Sequence, residues 1–367
     1  MATGTVFVHM VGDEDLHMKA ARTELAKRLA ALKGYTFAEE YDPSSPSDRA
    51  GRLYFVPSDT LLGSTAATLG ITGEHDLFGG VVPDGFVATK VITHPLVHPH
   101  ATAPPGWSHA FGERVRGAVL SGFSAFTRED ARRAGARLLE QGPARTKPAR
   151  ATAGRDQTVV SSMAELESAL DAMDPEEILR YGLVVEENLT EVATYSVGQV
   201  RVAELVATYH GMQRLTTDNH GAEVYGGSDL TIVRGDFEAL LKLGLPDEAQ
   251  LAVSQARVYD AAAFKLFAGL FASRRNYDVA SGLNPQMIHR TGVLEQSWRS
   301  GGASAAEIAA LEAFRANPAL GAVRASTFEV YGGDEPPPGA VVYFRGTDEA
   351  CGPMSRYATV EPYDGAQ

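Results

Sequence analysis

The strongest constraint on the fold of this chain is an alternation that begins near its start, where short apolar runs are punctuated by helix signals, glycine and capping residues. Thr5-Val6-Phe7-Val8-His9-Met10 reads as a strand, Leu16 to Lys33 carries a helical pattern, and Gly34 stops it. Leu53-Tyr54-Phe55-Val56 reads as a further strand and ends at Pro57-Ser58-Asp59-Thr60, where Asp59 or Thr60 is placed to cap another helix. Strand, helix, strand and cap in this order predict an α/β arrangement. Between Gly79 and Gly106 glycine, proline and histidine accumulate, so irregular structure is expected, with one strand near Phe86-Val87-Ala88 or Val91-Ile92.

Further along, Thr127 followed by Asp130 marks a helix start and Gly142-Pro143 its end. Thr146-Lys147-Pro148, a loop and Thr158-Val159-Val160 precede a second capping box at Ser162 and Glu165, which opens a helix to about Met173. Leu183 to Glu187, Ser196 to Val200 and Leu205 to Tyr209 read as strands, with Gly211 available for a turn. A long helical pattern covers Asp247 to Phe271, and strands are expected at Asn276 to Val279 and Thr291 to Leu294. Ser304 and Glu307 form a third capping box, whose helix ends at Asn317-Pro318; the segment from Ser326 onward reads as an appended β-hairpin.

The length, 367 residues, suits two or three domains, and 44% hydrophobic with 22% charged residues suits a folded, enzyme-sized protein. A net charge of -13 argues against polyelectrolyte binding to nucleic acid. No run approaches the roughly 18 to 20 apolar residues that cross a bilayer, so no membrane partner is expected. Met1 to Met10 lacks a basic, apolar leader pattern, and the expectation is a cytoplasmic protein. Cys351 is the only cysteine, which excludes an intramolecular disulfide framework and a multi-cysteine zinc site, and nothing nearby in sequence marks it as reactive.

Only seven of the 33 basic residues are lysine, so Lys147 stands out before the polar loop Ala151 to Gln157. That ammonium and loop could close over a polyphosphate, although a lysine in a turn is also an ordinary solvated residue. Val184-Val185-Glu186-Glu187-Asn188-Leu189 ends an apolar strand in two carboxylates, suited to a nucleoside or simply to solvent. Asp278 ends one predicted strand, and Glu295, Ser297 and Arg299 form a row on one face of the next. Hard oxygen donors of this kind suit Mg²⁺, and Gly301-Gly302 before a helix start offers backbone N–H groups to an anion. Arg274 and Arg275 are candidates for a carboxylate or phosphate, or for surface ion pairs. His94, His98 and His100 lie in a proline-rich run whose spacing matches no helical zinc-ligand pair.

Taken together, the lysine and loop, the acidic pair after an apolar strand, and Asp278 followed by Glu295-x-Ser297-x-Arg299-x-Gly301-Gly302 resemble the ATP-grasp superfamily. Val159 to Leu166, Tyr195-Ser196-Val197-Gly198 and Val293 to Arg299 are similar to a bacterial branch sometimes labelled biotin-carboxylase-like. The resemblance covers roughly Phe123 to Pro318. It implies a mixed α+β / α/β ATP-grasp fold, with a pre-grasp α/β domain at 1–122, a central or lid subdomain at 123–190, a C-terminal grasp subdomain at 191–325 and a β-hairpin-like tail at 326–367.

The activity implied is that of an ADP-forming ligase using ATP and Mg²⁺, or Mn²⁺. It would phosphorylate a small-molecule carboxylate to an acylphosphate, which an amine, thiol or similar nucleophile then attacks. By the resemblance Lys147 would meet the phosphates, helped by Thr152 and Gly154 of the loop, and Glu186, Glu187, Leu189 and Glu191 would surround the nucleoside. Asp278, Glu295 and Ser297 would hold the metal, the serine standing where the family usually has asparagine. Arg299 and Arg275 would be catalytic, and His220, Tyr225, Ser228, Arg274, Gly301 and Gly302 would approach the second substrate. Relatives are commonly homodimers. Two other readings stand beside this one: an ATP-binding regulator without ligation, and biotin-carboxylase-like bicarbonate activation, which needs a biotin carrier.

Overall fold

The computed structural model describes residues 4–12, 14–42, 44, 51–151 and 156–363. Strand β1 (Gly4–His9) lies between β2 (Thr36–Ala38) and β3 (Arg52–Pro57), parallel to both, and helix α1 (Leu16–Lys33) connects β1 to β2. Gly34, at φ 66°, closes α1 through its N–H to the carbonyls of Ala30 and Ala31, the left-handed geometry that a Cβ penalises. The next elements are β4 (Leu61–Leu62), α2 (Gly63–Thr68) and β5 (Gly80–Val82). Neither Asp59 nor Thr60 caps α2, because β4 intervenes and the Asp59 carboxylate accepts the Thr60 N–H instead. The strand expected near residues 86–92 is replaced by two 3₁₀ turns, Gly85–Ala88 and Lys90–Thr93.

After α3 (His109–Val115), a four-stranded antiparallel sheet is assembled from β6 (Gly122–Ala125), β7 (Ala144–Pro148), β8 (Thr158–Val160) and β9 (Leu183–Glu187), in the order β6-β9-β7-β8. Helices α4 (Arg128–Leu139), α5 (Met163–Asp171) and α6 (Pro175–Tyr181) lie between these strands in sequence. Thr127 and Ser162 accept the N–H groups of Asp130 and Glu165, so both expected capping residues act as such. Leu138, Val160, Leu166, Leu170 and Val185 form the core of this unit.

The rest of the chain is dominated by one eight-stranded antiparallel sheet. Its strands are β10 (Thr190–Val202), β11 (Leu205–Thr217), β12 (Glu223–Arg234), β14 (Arg274–Leu283), β15 (His289–Ser297), β16 (Ala322–Tyr331), β17 (Val341–Asp348) and β18 (Gly352–Pro362). The order is β15-β14-β10-β11-β12-β16-β18-β17, while the short β13 (Phe271–Ala272) joins β5 and β4. The segment read as an appended hairpin is thus the outer edge of the main sheet, with β16 hydrogen-bonded directly to β12. Gly211 makes no turn: it sits within β11, where a Cβ would come 1.9 Å from the Asp229 carbonyl oxygen.

Helices α7 (Phe237–Leu241), α8 (Asp247–Leu266) and α9 (Ser304–Ala316) complete the fold. Small residues on α8, Ala252, Ala256 and Ala263, let the helix pack closely with Tyr277, Val279, Val293 and Trp298. On α9, Ile308, Leu311 and Phe314 pack with Tyr209, Ile232 and Val323, and with Leu25 and Leu29 of α1.

The capping box expected at α9 does not form. Ser304 Oγ accepts the Gly301 N–H at 3.0 Å, and Glu307 turns into the core, where it pairs with Arg274 at 2.9 Å. Both side chains are essentially buried, 0% and 1% exposed, so removing either leaves an uncompensated charge out of water. The expected outcome of Glu307→Ala is a loss of about 3–5 kcal/mol in urea unfolding, with Glu307→Gln losing less because an acceptor remains.

Candidate functional site

The strand register of β14 and β15 sets Asp278 opposite Glu295 and Asn276 opposite Ser297. Asp278 Oδ1 accepts from Gln213 Nε2 and Asn276 Nδ2, each at 2.9 Å, and from Ser196 Oγ at 3.4 Å. Desolvation first, then the neighbouring Glu295 charge, push the Asp278 carboxyl up to about 6 against these donors. Two hard carboxylates set opposite each other are a donor set of the kind that Mg²⁺ takes, together with phosphate oxygens. Ser297 Oγ lies 3.3 Å from Arg274 Nη1. The Tyr209 hydroxyl, 2.9 Å from Asn276 Oδ1 and 2.6 Å from Glu307 Oε1, links this row to α9.

A lysine that sequence reasoning passed over completes the cluster. Lys90, buried at 6% exposure, places Nζ 3.1 Å from Glu295 Oε2 and donates to the carbonyl of Ala151, the last described residue before 152–155. Its position is set by β15 itself, because Gln296 Nε2 donates to the carbonyls of Val87 and Thr89 at 2.8 and 2.9 Å, and Thr93 Oγ1 donates to Leu294 O at 3.2 Å.

The same turn carries His94, whose Nε2 lies 3.0 Å from Glu186 Oε2, while Lys147 Nζ pairs with Glu186 Oε1. Burial would raise the Glu186 carboxyl, but Lys147 and then His94 hold it down at about 2. Glu186 and Lys147 are therefore a buried ion pair across β9 and β7, not residues in solvent. The scarcity of lysine was the available signal for Lys90. His94 carried none, since a histidine in a proline-rich run has no periodicity to read.

The other expected site residues are dispersed. Glu187 points to the opposite face of β9 from Glu186, accepts the Ser121 N–H at 2.8 Å and pairs with Arg290 at 3.1 Å. Leu189 is buried with Leu120 and Ala280 where β9 passes into β10, and Glu191 is exposed at the β10 irregularity with φ 51°. Thr152 and Gly154 lie outside the described residues. Arg299 lies past the end of β15, with Nη1 donating to the Ser300 carbonyl at 3.1 Å and Nε 3.8 Å from Asp59.

Arg275 was expected to be catalytic but projects from the face of β14 opposite Asp278. It meets Asp260 at 3.3 Å and stacks on Phe264, because residues three apart on a strand point to opposite faces. Arg274 was expected at the substrate but is buried on Glu307 and on the carbonyls of Ser297 and Arg299. His220 is also displaced from that expectation, with Nε2 3.3 Å from the Ala350 carbonyl on the β17–β18 turn. Tyr225 and Ser228 do come together, their hydroxyls 2.7 Å apart, and a Cβ on Gly302 would meet the Tyr225 ring at 2.6 Å. Gly301 and Gly302 line a cleft of about 50 Å³ with Arg22, Glu329 and Arg356.

The four-stranded unit and the large antiparallel sheet, joined where β9 runs into β10, define the ATP-grasp fold. The phosphoribosylamine–glycine ligase of Thermotoga maritima is similar with a TM-score of 0.52, covering 98% of this chain and 93% of its own at 14% identity. The biotin carboxylase of Campylobacter jejuni, in a β,γ-ATP complex, gives 0.51 over 98% and 87% at 12% identity. The biotin carboxylase domain of the Hydrogenobacter thermophilus 2-oxoglutarate carboxylase, solved with MgADP and bicarbonate, gives 0.50 over 99% and 87% at 12% identity. These likenesses establish the fold. The chain belongs to the family described as protein of unknown function (DUF3182), whose profile matches residues 6–358. No curated protein matches the sequence.

A carboxyl whose folded pKa is raised disfavours the folded state once ionised, and this penalty shrinks as pH falls below the folded value, vanishing only below the ordinary value of 3.8. With chelator present at pH 8, Asp278→Asn is therefore expected to gain on the order of 1 kcal/mol, or about 2 °C in Tm, over the wild type. The gap should close as the pH falls below about 6. Melting curves at the two pH values test this, and an unchanged or lower Tm at pH 8 would contradict the stored repulsion.

Proposed function

We propose that this chain is an ADP-forming, ATP- and Mg²⁺-dependent ligase that activates a small-molecule carboxylate and joins it to an amine or thiol. The observation that carries the reading is the Asp278–Glu295 pair with Lys90 on Glu295, a buried lysine that also reaches the Ala151 carbonyl. An acidic pair alone is common, but a carboxylate pair with a lysine held over it fits a metal-bound polyphosphate, in which anionic oxygens need both metal and ammonium partners.

In this reading the division of the chain at residues 122, 190 and 325 separates a pre-grasp unit, a lid unit, a grasp unit and the sheet edge beyond. The nucleotide would lie between the β6–β9 sheet and the β14–β15 edge, its base near the backbone of Glu187 to Leu189. Asp278 and Glu295 would hold Mg²⁺, with the Ser297 hydroxyl one strand repeat away, and the ion would draw charge from the phosphate oxygens. Gln213 and Asn276 hold Oδ1 of the Asp278 carboxylate by their amide donors. Lys90 and Lys147 would neutralise phosphate oxygens, and His94 would remain on Glu186 when Lys147 turns to the nucleotide.

Arg299 would stand over the phosphoryl group as it passes from ATP to the substrate carboxylate, leaving ADP and an acylphosphate. Attack by the nucleophile on the acyl carbon would then expel phosphate. Preorganised charges of this kind act on the electrostatics of the transferring group, where single contacts are typically worth about 10²–10³ in rate.

Calorimetry of ATP with Mg²⁺ is expected to show micromolar binding, weakened at least tenfold, about 1.4 kcal/mol, in Lys90→Ala, Lys147→Ala and Glu295→Gln. ADP release on a panel of carboxylates and amines should fall about 100-fold in Glu295→Gln. No binding of ATP with Mg²⁺ would overturn the reading. Binding without turnover above the Glu295→Gln level on any pair would leave a nucleotide-binding protein and remove the ligase.

A further inference from the structure

Helix α1 and the β17–β18 turn bring three different metal-binding side chains together. His17 lies in the first turn of α1, Asp348 is the last residue of β17, and Cys351 immediately precedes β18. Their donor atoms, an imidazole nitrogen, a carboxylate oxygen and the thiol sulfur, all lie within 4.8 Å of one another. His17 and Asp348 are 7% and 2% exposed, whereas Cys351 is only half-buried and leaves a route in from solvent. We propose that His17, Asp348 and Cys351 form a second metal site, selective for Zn²⁺ or a similar borderline divalent ion and separate from the Asp278–Glu295 pair.

The arrangement is held from several directions. Asp348 Oδ1 accepts the backbone N–H groups of Ala350 and Cys351 at 2.9 and 3.1 Å. Oδ2 accepts the His17 backbone N–H at 3.0 Å and lies 2.9 Å from His17 Nδ1. The turn is clasped from outside by Asn219 Nδ2, which donates to the carbonyls of Cys351 and Pro353 at 2.6 and 2.9 Å. The Phe344 ring, 6.1 Å from the imidazole, supplies an apolar wall. A carboxylate fixed by three backbone donors keeps its position when the imidazole contact is exchanged for a metal bond.

The donor set decides the ion. Thiolate with imidazole is too soft a pair for Mg²⁺ but suits Zn²⁺ or Co²⁺, and three protein ligands leave a fourth tetrahedral position for water. Bond lengths of about 2.0–2.3 Å place tetrahedral donors about 3.4–3.7 Å apart, so the site closes by adjusting each side chain by about an ångström or less. Binding deprotonates the thiol and releases one proton per ion. The imidazole binds as the neutral ring, with its proton on Nε2 where Nδ1 is the ligand. Because His17 and Asp348 are 331 residues apart in sequence, the ion would clamp α1 to the outer edge of the large sheet.

The test is titration of the 367-residue chain with Co²⁺ in excess Mg²⁺ after treatment with chelator. Cys351 is the only thiol, so a thiolate-to-cobalt charge-transfer band can come from no other residue. One equivalent of Co²⁺ should produce that band with tetrahedral visible bands, one equivalent of Zn²⁺ should erase it, and Zn²⁺ should slow modification of the thiol by a disulfide reagent at least tenfold. Cys351→Ser should lose the band while binding ATP with Mg²⁺ as the wild type does, and His17→Gln should weaken Co²⁺ binding at least tenfold. Absence of the band in folded wild-type protein whose thiol is still reactive would overturn the proposal, as would full Co²⁺ affinity in folded His17→Gln.

Discussion

The fold and the candidate site both hang on the guanidinium of Arg274. Its Nε reaches both oxygens of Glu307 at 3.1 Å, and its Nη1 reaches the carbonyls of Ser297 and Arg299 at 3.2 and 2.6 Å. A buried ion pair repays its desolvation only when nearly every donor finds an acceptor, and a planar fork of five N–H groups can do so where a lysine could not. One side chain thereby joins β14, the end of β15 and the first turn of α9. It also fixes the approach to Gly301 and Gly302. Through Tyr209 and Asn276 the same network continues to Asp278, so the orientation of the acidic pair follows from a contact in the core.

Around that anchor the Asp278 carboxyl is pushed up by burial and by the Glu295 charge. Asp278 and Glu295 face each other by strand register, and the buried cation that pairs with Glu295, Lys90, comes from a 3₁₀ turn more than two hundred residues earlier in the chain. Buried polar groups bring it there: Gln296, on the strand between Glu295 and Ser297, binds the carbonyls of Val87 and Thr89. Glu186, by contrast, is fully paired by Lys147 and His94. The Asp278 carboxyl is pushed up and the Glu186 carboxyl held down, a separation of environments of the kind that acid–base and phosphate chemistry uses.

Much of the local architecture was legible in the residues. The 3.6-residue pattern and its stops located α1, and the hydroxyl–acid spacings at Thr127 and Ser162 located the starts of α4 and α5. Two-residue strand periodicity put Glu295 and Ser297 on one face, and the lone lysine before a loop led to Lys147. Where these signals failed, a distant partner had outbid a local one. Ser304 and Glu307 have capping-box spacing, but burying Arg274 required a carboxylate, and Glu307 supplied it. Gly211 resembles a turn residue, yet it is needed because the β12 backbone passes too close for a Cβ.

By itself the sequence determined the starts of α1, α4 and α5 and which residues share a strand face, because each is written within a few consecutive positions or a fixed period, and it singled out Asp278, Glu295 and Lys147 as candidates. Only the tertiary structure decided that Arg275 faces α8 and Arg274 the core, that Lys90 and His94 enter the site, that β16 to β18 widen the main sheet, and that His17 meets Asp348 and Cys351. Those outcomes depend on which buried charge or polar group finds its complement across the fold. No periodicity in the chain encodes that pairing, since burial sets its energy and burial exists only once the sheets and helices have packed.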